Sequence, residues 1–270
     1  MRLERRCFEA LGSRCELLGL DLEPGRLRRV AGRVAEAHRR FTRFAPESEL
    51  SRLNAARGWV AVSPELEGLL RAALEAHRLS GGLVHAGVLP AMLAIGYTRP
   101  LAEGGPTATT AVPAPPPPLP ELLEVERGRA RLRGGGLDLG GIAKGWLADR
   151  LARELGENCL VNLGGDLFAR GPGPGGEGWP VGFGGVTLLL RDRGAATSGT
   201  WRRAWSDGGR RLHHLIDPRT GGPAESDLGQ VSVVADTAFL AEVHAKAALL
   251  LGRELAPAYL AGRARAWWLG

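Results

Sequence analysis

Helix-type and strand-type hydrophobic patterns alternate irregularly along this chain, and this limits its possible folds more than any other feature. Apolar residues recur at spacings of three and four between residues 27 and 44, the period of an amphipathic helix. Ser63 and Pro64 are typical of a helix start, and the glycines at 81 and 82 would end that second helix. Two further helices are predicted. One follows the glycine-rich stretch that begins at 134, and this helix ends at 155; the other covers 237–251.

Strand-type segments are predicted at 14–20, 159–163, 186–190, 230–235 and near 264–268. A doubly wound parallel sheet requires strands and helices in regular alternation, which this order lacks. The sequence therefore predicts a mixed α+β fold.

Length and composition predict one domain over residues 1–270. A chain of 270 residues with 44% hydrophobic residues can bury a sizeable core. Residues 104–120, which end in AVPAPPPPLP, are predicted to form a proline-rich surface loop within that domain. No apolar run approaches the roughly 20 residues of a membrane span, and the charged N-terminus lacks the apolar stretch of a signal peptide. We therefore expect a cytoplasmic protein without a transmembrane segment.

Cysteine usage argues against a zinc site or a disulfide framework. The chain has three cysteines, Cys7, Cys15 and Cys159, and none forms a C-x-x-C pair. Cys159 lies in an apolar run and is predicted to be a small core residue.

The charge balance is basic, with a net charge of +6, but the basic residues are spread along the chain. Because they form no dense run interleaved with aromatic residues, nucleic-acid binding is not expected. Arginine accounts for 33 of the 35 basic residues, so Lys144 and Lys246 are exceptions. A compact ammonium at these two positions suggests a role that a planar guanidinium cannot fill.

Four segments carry residues suited to chemistry. In the first, GGGLDLGGIAKG (134–145), glycines open a helix, and the exposed backbone N–H groups could hold a phosphate. The segment lacks the GK[ST] ending of a P-loop, and a plain tight turn remains an alternative. In the second, NLGGD (162–166), two glycines after a strand allow close backbone approach to a ligand. The alternative is a β-turn whose Asp hydrogen-bonds its own backbone.

The third segment joins ATSG (196–199) to HHLIDPRTG (213–221), where a histidine three residues before an aspartate could act as a base. Good turn chemistry alone would also account for DPRTG. In the fourth, Glu242 and Lys246 are four residues apart and share a face of the last predicted helix. They form either a surface ion pair or part of a site, and the alanines around them give this face small side chains that would allow close approach.

Together these segments resemble the FAD:protein FMN transferase family, the ApbE-like proteins. DLGGIAKG (138–145) is similar to the glycine-rich FAD motif of the family, and NLGGD (162–166), ATSG (196–199) and HLIDPRTG (214–221) follow in the family's order. PESELSRLN (46–54) resembles an early family segment. The resemblance implies an α+β fold with a T-fold-like duplicated mixed sheet core flanked by helices.

The resemblance also implies an activity and a set of site residues. The family cleaves FAD and attaches FMN by a phosphoester to a threonine or serine hydroxyl of an acceptor protein, with a magnesium ion on the pyrophosphate. On this basis His214, Asp217 and Lys246 are expected to be catalytic, and Gly141 and Glu242 to hold the metal. The expected FAD contacts are Leu11, Val84, His85, Asp138, Lys144, Asp166, Thr197, Ser198 and Ile216.

Two departures from the family pattern affect the expected chemistry. Where the family has an acidic FAD contact the chain has His85, and where the magnesium-binding helix usually has Asp and Thr the chain has Glu242 and Lys246. A protonated lysine repels a cation, so we hypothesise that the Lys246 ammonium, held by Glu242, replaces the metal. The departures leave two alternatives open, a flavin-binding protein without transfer activity and an FAD hydrolase that releases FMN and AMP.

Overall fold

The computed structural model of this chain describes residues 2–100, 114–183, 185–201, 204–207 and 210–270. Its contacts divide the chain into two compact units, and neither is continuous in sequence. Unit 1 comprises Met1–His38, Ile142–Ser198 and Gln230–Gly270. Unit 2 comprises Arg39–Gly141 and Gly199–Gly229.

A seven-stranded sheet forms the framework of unit 1, with strand order β1-β2-β6-β7-β10-β13-β14. Its strands are β1 (Leu3–Ala10), β2 (Ser13–Leu20), β6 (Cys159–Leu163), β7 (Leu167–Arg170), β10 (Arg193–Gly199), β13 (Gln230–Ala235) and β14 (Ala266–Leu269). The β1–β2, β2–β6, β6–β7, β7–β10 and β13–β14 pairs are antiparallel.

The helices of this part of the chain are α1 (Arg26–Phe41), α6 (Ala143–Leu155) and α7 (Ala238–Leu260). Helix α6 contacts β6 and β7, and α7 contacts both β13 and α6. A two-stranded ribbon, β8 (Trp179–Phe183) with β9 (Val186–Leu190), shares a hydrophobic cluster with strands of the large sheet, and Trp179 is fully buried in that cluster. Alternate residues of β8 are buried, which is the period-two pattern of a half-covered strand.

Except for one 16-residue helix, the elements of unit 2 are short. Its helices are α2 (Glu49–Ala55), α3 (Pro64–Leu79), α4 (Leu89–Ala94) and α5 (Leu119–Leu122), and a 3₁₀ turn covers Ala86–Val88. A three-stranded sheet has the order β3-β5-β4, from β3 (Val60–Ala61), β4 (Leu123–Glu126) and β5 (Arg129–Leu132). Strands β11 (Ala204–Asp207) and β12 (Arg210–His213) form a separate ribbon.

Several sequence predictions are confirmed. The strands at 159–163, 186–190 and 230–235 have the predicted bounds, and the Ser63 side chain caps α3 by accepting from Leu66 N. Cys159 is fully buried, and burial raises the pKa of its thiol to about 12. The predicted mixed α+β class is also confirmed.

Other predictions need correction. Strand β8, which follows several glycines after residue 170, was not among the predicted strands. Most of the predicted proline-rich loop, up to residue 113, lies outside the described residues; its last two positions open helix α5, where Leu119 is fully buried. Helix α7 extends past the predicted end at 251, with a break at Gly252 where φ is 77°. In the described part of the chain, no helix has the length and apolar character that a membrane crossing requires.

Candidate functional site

Helices α6 and α7 approach each other closely in the candidate site of unit 1. A Cβ atom on Gly145 would lie 2.5 Å from the Ala238 carbonyl oxygen, so only glycine fits at this contact. Ala238, Ala241, Ala245 and Ala248 are fully buried. The small face that the sequence indicated on α7 therefore serves close approach to another helix.

This close approach places the Glu242 carboxylate at the start of α6. Glu242 is 3% exposed, and its Oε2 accepts a hydrogen bond of 2.8 Å from the backbone N–H of Gly145. The first N–H groups of a helix have no partner within the helix, and they favour negative charge. Glu242 is therefore a buried capping carboxylate of α6 and not part of a surface ion pair.

Lys144 is held between two buried carboxylates. Its ammonium donates to Asp166 Oδ2 in a close ion pair and lies 4.0 Å from Glu242 Oε1. The Lys144 side chain is 16% exposed and that of Asp166 is 3% exposed. Buried charges need partners, and here one ammonium serves two carboxylates. These three groups together therefore carry a net negative formal charge.

Asp166 reaches Lys144 from a glycine turn between β6 and β7. Gly164 and Gly165 have φ values of 80° and 105°, which residues with a side chain rarely adopt. The turn is closed by hydrogen bonds from Gly165 N to Asn162 Oδ1 and from Leu163 N to Asp166 O, of 2.8 and 2.9 Å. A Cβ on Gly164 would clash with the side chain of Ser13, whereas nothing lies within 4 Å of the equivalent position on Gly165. The second glycine therefore faces open space.

Asp149, on the buried face of α6, fixes the start of α7. Its two carboxylate oxygens accept from Ala238 N and Phe239 N at 2.7 and 3.0 Å. Burial raises the pKa of Asp149 to about 6, and the two backbone hydrogen bonds and Arg153 lower it only in part. Together with the Thr237 side chain, which accepts from Leu240 N, this carboxylate satisfies the first N–H groups of the helix.

Three more predicted FAD contacts lie in unit 1. Ser198 is buried on β10, and the exposed Thr197 shares a hydrogen bond of 2.8 Å between its Oγ1 and Ser232 Oγ. Leu11 stands in the two-residue turn between β1 and β2 with a φ of 55°. A left-handed leucine is an uncommon conformation that tends to accompany functional sites. Lys246 is half-buried on α7, one turn after Glu242.

In unit 2, Asp138 is tied to other protein groups. Its Oδ2 accepts 2.7 Å from Arg43 Nε, its Oδ1 accepts 2.8 Å from Gly140 N, and its own N–H donates to Ala86 O. Gly141, the expected backbone metal ligand, is half-buried in the same loop. Asp138 therefore organises the glycine-rich loop through both carboxylate oxygens.

His85 also bonds to backbone groups. Its Nδ1 accepts from Gly87 N at 3.0 Å, so its Nε2 carries the proton and donates to Pro117 O at 3.0 Å. Burial, together with the adjacent His77, whose ring centroid is 5.0 Å away, lowers the pKa of His85 to about 4. Val84, its predicted partner in FAD binding, is 3% exposed.

The DPRTG segment forms a tight turn around Asp217. The Asp217 carboxylate accepts two hydrogen bonds from Arg219 Nε and one of 2.7 Å from its terminal nitrogen, while Gly221 N donates to Asp217 O. Asp217 and Ile216 are both 7% exposed, and His214 precedes them as a half-buried residue. The turn chemistry expected at this segment is present, and it fixes the direction of the Asp217 side chain.

The carboxylate expected to bind magnesium is engaged by other groups of unit 1. Mg²⁺ takes about six oxygen ligands in near-octahedral geometry. Glu242, the carboxylate expected to bind it, accepts from Gly145 N and lies near the Lys144 ammonium. Across the described ranges, no group of three His, Cys, Asp or Glu side chains could hold a metal ion.

The sequence did not point to several residues that shape these sites. Asp149 had only a weak signal, because it is a polar residue on the apolar face of α6, one turn after Gly145. Arg43 and Ser232 had none, since their partners Asp138 and Thr197 are distant in sequence. Such pairs follow from strand order and loop packing, which local patterns do not specify.

Comparisons with known proteins agree with these features. Residues 11–267 match the model of the ApbE family. The FAD:protein FMN transferase of Treponema pallidum is 32% identical over 255 residues, covering 79% of this chain and 68% of that protein.

Two crystal structures share the fold. ApbE from Thermotoga maritima superposes with a TM-score of 0.84 at 22% identity, covering 99% of this chain and 94% of the other. The flavinyl transferase ApbE from Pseudomonas stutzeri gives a TM-score of 0.84 at 22% identity, with 99% and 90% coverage. The chain therefore belongs to the ApbE family of FAD:protein FMN transferases.

Proposed function

We propose that this chain transfers the FMN moiety of FAD to a hydroxyl group of an acceptor protein. The observation that carries the proposal is the ion pair between Lys144 and Asp166. It joins, within unit 1, two segments that the family resemblance assigns to FAD, and it lies beside a glycine turn with open space at Gly165. Two glycines without side chains let a ligand approach the backbone closely at such a turn.

The proposed reaction is a phosphoryl-type transfer. The acceptor hydroxyl oxygen attacks the phosphorus that bears riboflavin, the bond to the bridging oxygen breaks, and AMP leaves with that oxygen. The hydroxyl proton passes to a base, for which we propose His214, with Asp217 nearby in sequence as a second catalytic group. In such transfers, positioning and neutralisation of phosphate charge supply most of the catalysis.

We further propose that the Lys246 ammonium supplies the charge for which relatives with a metal site use a cation. Lys246 follows Glu242 by one turn of α7, whereas the Lys144 ammonium is already paired with Asp166 and Glu242. A single ammonium stabilises a pyrophosphate less than a divalent ion does, so we expect slow turnover. Magnesium held by Gly141 and Glu242 is the alternative, and the partners of Glu242 count against it.

The remaining assignments extend this proposal. FAD is the substrate, with Leu11, Val84, His85, Asp138, Thr197, Ser198 and Ile216 as further contacts. The acceptor residue is a threonine or serine, the protein is cytoplasmic, and it binds no nucleic acid. For Asp138 and His85, the observed bonds to protein groups favour an indirect role in shaping the FAD site.

The first experiment is titration of metal-stripped protein with FAD, with and without magnesium, followed by assay of AMP and of covalently flavinylated acceptor. AMP together with labelled acceptor supports transfer. AMP without label indicates an FAD hydrolase, and binding without AMP indicates a flavin-binding protein. Absence of binding in both conditions would reject the FAD assignment.

A second experiment tests the role of Lys246. The Lys246→Thr variant should bind FAD weakly in EDTA and more tightly when magnesium is added. The Lys246→Arg variant, which keeps the positive charge, should bind FAD in EDTA. A wild-type protein that binds FAD only with magnesium would contradict the lysine proposal but not the transferase proposal.

A further inference from the structure

The glycine-rich loop of unit 2, residues 134–141, is held by two side chains from an earlier part of the chain, Asn54 and Arg43. The Asn54 side chain donates from Nδ2 to Leu137 O at 2.9 Å and accepts on Oδ1 from Leu137 N at 2.8 Å. This two-bond contact imitates the pairing of one strand with another. It leaves both backbone groups of Leu137 satisfied, so this point of the loop cannot rotate without losing two hydrogen bonds.

The next residue of the loop is fixed through its side chain. The Asp138 carboxylate bonds to Gly140 N on one oxygen and to Arg43 Nε on the other. A Cβ on Gly140 would lie 3.0 Å from Asp138 Oδ1, so a glycine allows the turn to close tightly. The direction of the carboxylate, and with it the turn at Gly140, therefore depends on Arg43.

Arg43 is itself held rigidly. Its side chain is 4% exposed, its guanidinium carbon lies 4.0 Å from the ring centre of Phe44 and 4.6 Å from that of Tyr97, and its terminal nitrogen donates to Tyr97 O at 2.8 Å. A planar guanidinium can stack on two rings and donate in two fixed directions at once, which a lysine ammonium cannot do. Arg43 is thus built into the protein and points at one carboxylate.

We infer that Arg43 and Asn54 are positioning residues that set the conformation of the 134–141 loop before FAD binds. This inference rests on the proposed function in one respect, namely that the loop belongs to the FAD site. Neither side chain needs to touch the nucleotide. Because they order the loop before FAD arrives, binding does not have to offset the loss of conformational freedom of the loop.

The test compares Arg43→Gln, Arg43→Lys and Asn54→Ala with wild-type protein. We expect Arg43→Gln and Asn54→Ala to raise the Kd for FAD about tenfold, the lower end of the loss seen when an outer partner that orients a ligand group is removed. Arg43→Lys should give no more than partial rescue. The KM for FAD should rise with kcat at saturating FAD unchanged, because positioning before binding affects ground state and transition state alike.

Arg129→Gln is the matched control. Arg129 also pairs with a carboxylate, Glu126, and stacks on a ring, with its guanidinium carbon 4.6 Å from the ring centre of Trp59, but among the described residues these partners lie outside the loop. This variant should leave the FAD Kd within about twofold of wild type, since its pair is exposed.

Hydrogen exchange of peptides covering residues 134–141 provides a readout that needs no FAD. Arg43→Gln and Asn54→Ala should speed exchange in these peptides and not in the Arg129→Gln control, with thermal melts confirming that the variants fold. Unchanged exchange and unchanged FAD affinity in both variants would overturn the inference. If wild-type protein fails to bind FAD, the proposed function fails, while the exchange data still decide whether Arg43 and Asn54 order the loop.

Discussion

At the scale of single residues, the site of unit 1 depends on one lysine that joins two buried acids. Lys144 contacts Asp166 and Glu242, and both carboxylates are almost without solvent exposure. Removing the ammonium leaves two buried negative charges with less compensation. A buried pair is costly to break from one side even where the intact pair adds little stability.

Lys144→Met should therefore destabilise the protein strongly. We expect the free energy of unfolding to fall by about 3 kcal/mol, the lower end of the range for one partner lost from a buried pair. Urea denaturation measures it. Arg265→Gln, which breaks the exposed pair with Asp236, is the control and should change stability little. Equal effects of the two substitutions would show that Lys144 is not integral to the core of the site.

The lowered pKa of His85 predicts the sign of a pH dependence of stability. Its folded pKa of about 4 lies below the ordinary value of 6.5, so between these pH values the unfolded chain binds more protons and stability falls as pH falls. Burial lowers the pKa of His244 to about 4 with the same consequence. Asp149, with a raised pKa of about 6, acts in the opposite direction between pH 3.8 and 6.

A comparison of wild type with His85→Gln isolates the histidine contribution, because the other groups are common to both proteins. The unfolding free energy of wild type relative to the variant should decline from pH 6.5 to about 4. Chemical denaturation at several pH values measures this difference. Parallel curves would mean that His85 titrates alike in the folded and unfolded chain.

At the scale of elements, the effect of a glycine-to-alanine substitution can be compared between Gly32 in α1 and Gly145 in α6. Gly145 in α6 faces Ala238, where a Cβ would lie 2.5 Å from the carbonyl oxygen and 3.0 Å from Glu242 Oε2. Gly32, inside α1, is exposed, and a Cβ added there would meet nothing within 4 Å. The same substitution should therefore have opposite effects at the two positions.

Gly145→Ala should lower the free energy of unfolding by about 1–3 kcal/mol, because it overpacks a helix contact that backbone atoms form. Gly32→Ala should raise it by about 0.5–1 kcal/mol through the better helix propensity of alanine. Thermal or urea unfolding of both variants checks the signs. A stabilised Gly145→Ala protein would indicate that α6 and α7 pack less closely than described.

The elements also show what local sequence can predict. Strands β6 and β13 are nearly continuous apolar runs between turn residues, and both bounds were predicted correctly. Strand β1 was missed because it is an edge strand with mostly exposed or half-buried residues, so its sequence LERRCFEA has no apolar face. Helix α2, Glu49–Ala55, was missed because seven residues are too few for a periodic signal.

At the scale of the whole molecule, FAD should stabilise the folded protein if the proposed function holds. A ligand at about 100 times its Kd adds about 2.7 kcal/mol to the free energy of unfolding when it binds only the folded state. Thermal unfolding with FAD in EDTA, compared with riboflavin alone, measures this. We expect FAD to raise the Tm without magnesium and riboflavin to have a smaller effect. An increase that requires magnesium would favour the metal-bound alternative.

The sequence by itself determined the family, the α+β class and the order of the glycine-rich segments, because these depend on residue types and spacings along the chain. Only the tertiary structure showed that Glu242 caps α6, that Lys144 joins Glu242 to Asp166, and that Asp138 is held by Arg43. The physical reason is sequence separation. Lys144 and Glu242 belong to different helices, and their contact exists because Gly145 lets α7 come close enough for the carboxylate to reach the start of α6. Periodicity reports which face of a helix is buried, whereas the partner on that face is decided by packing between distant parts of the chain.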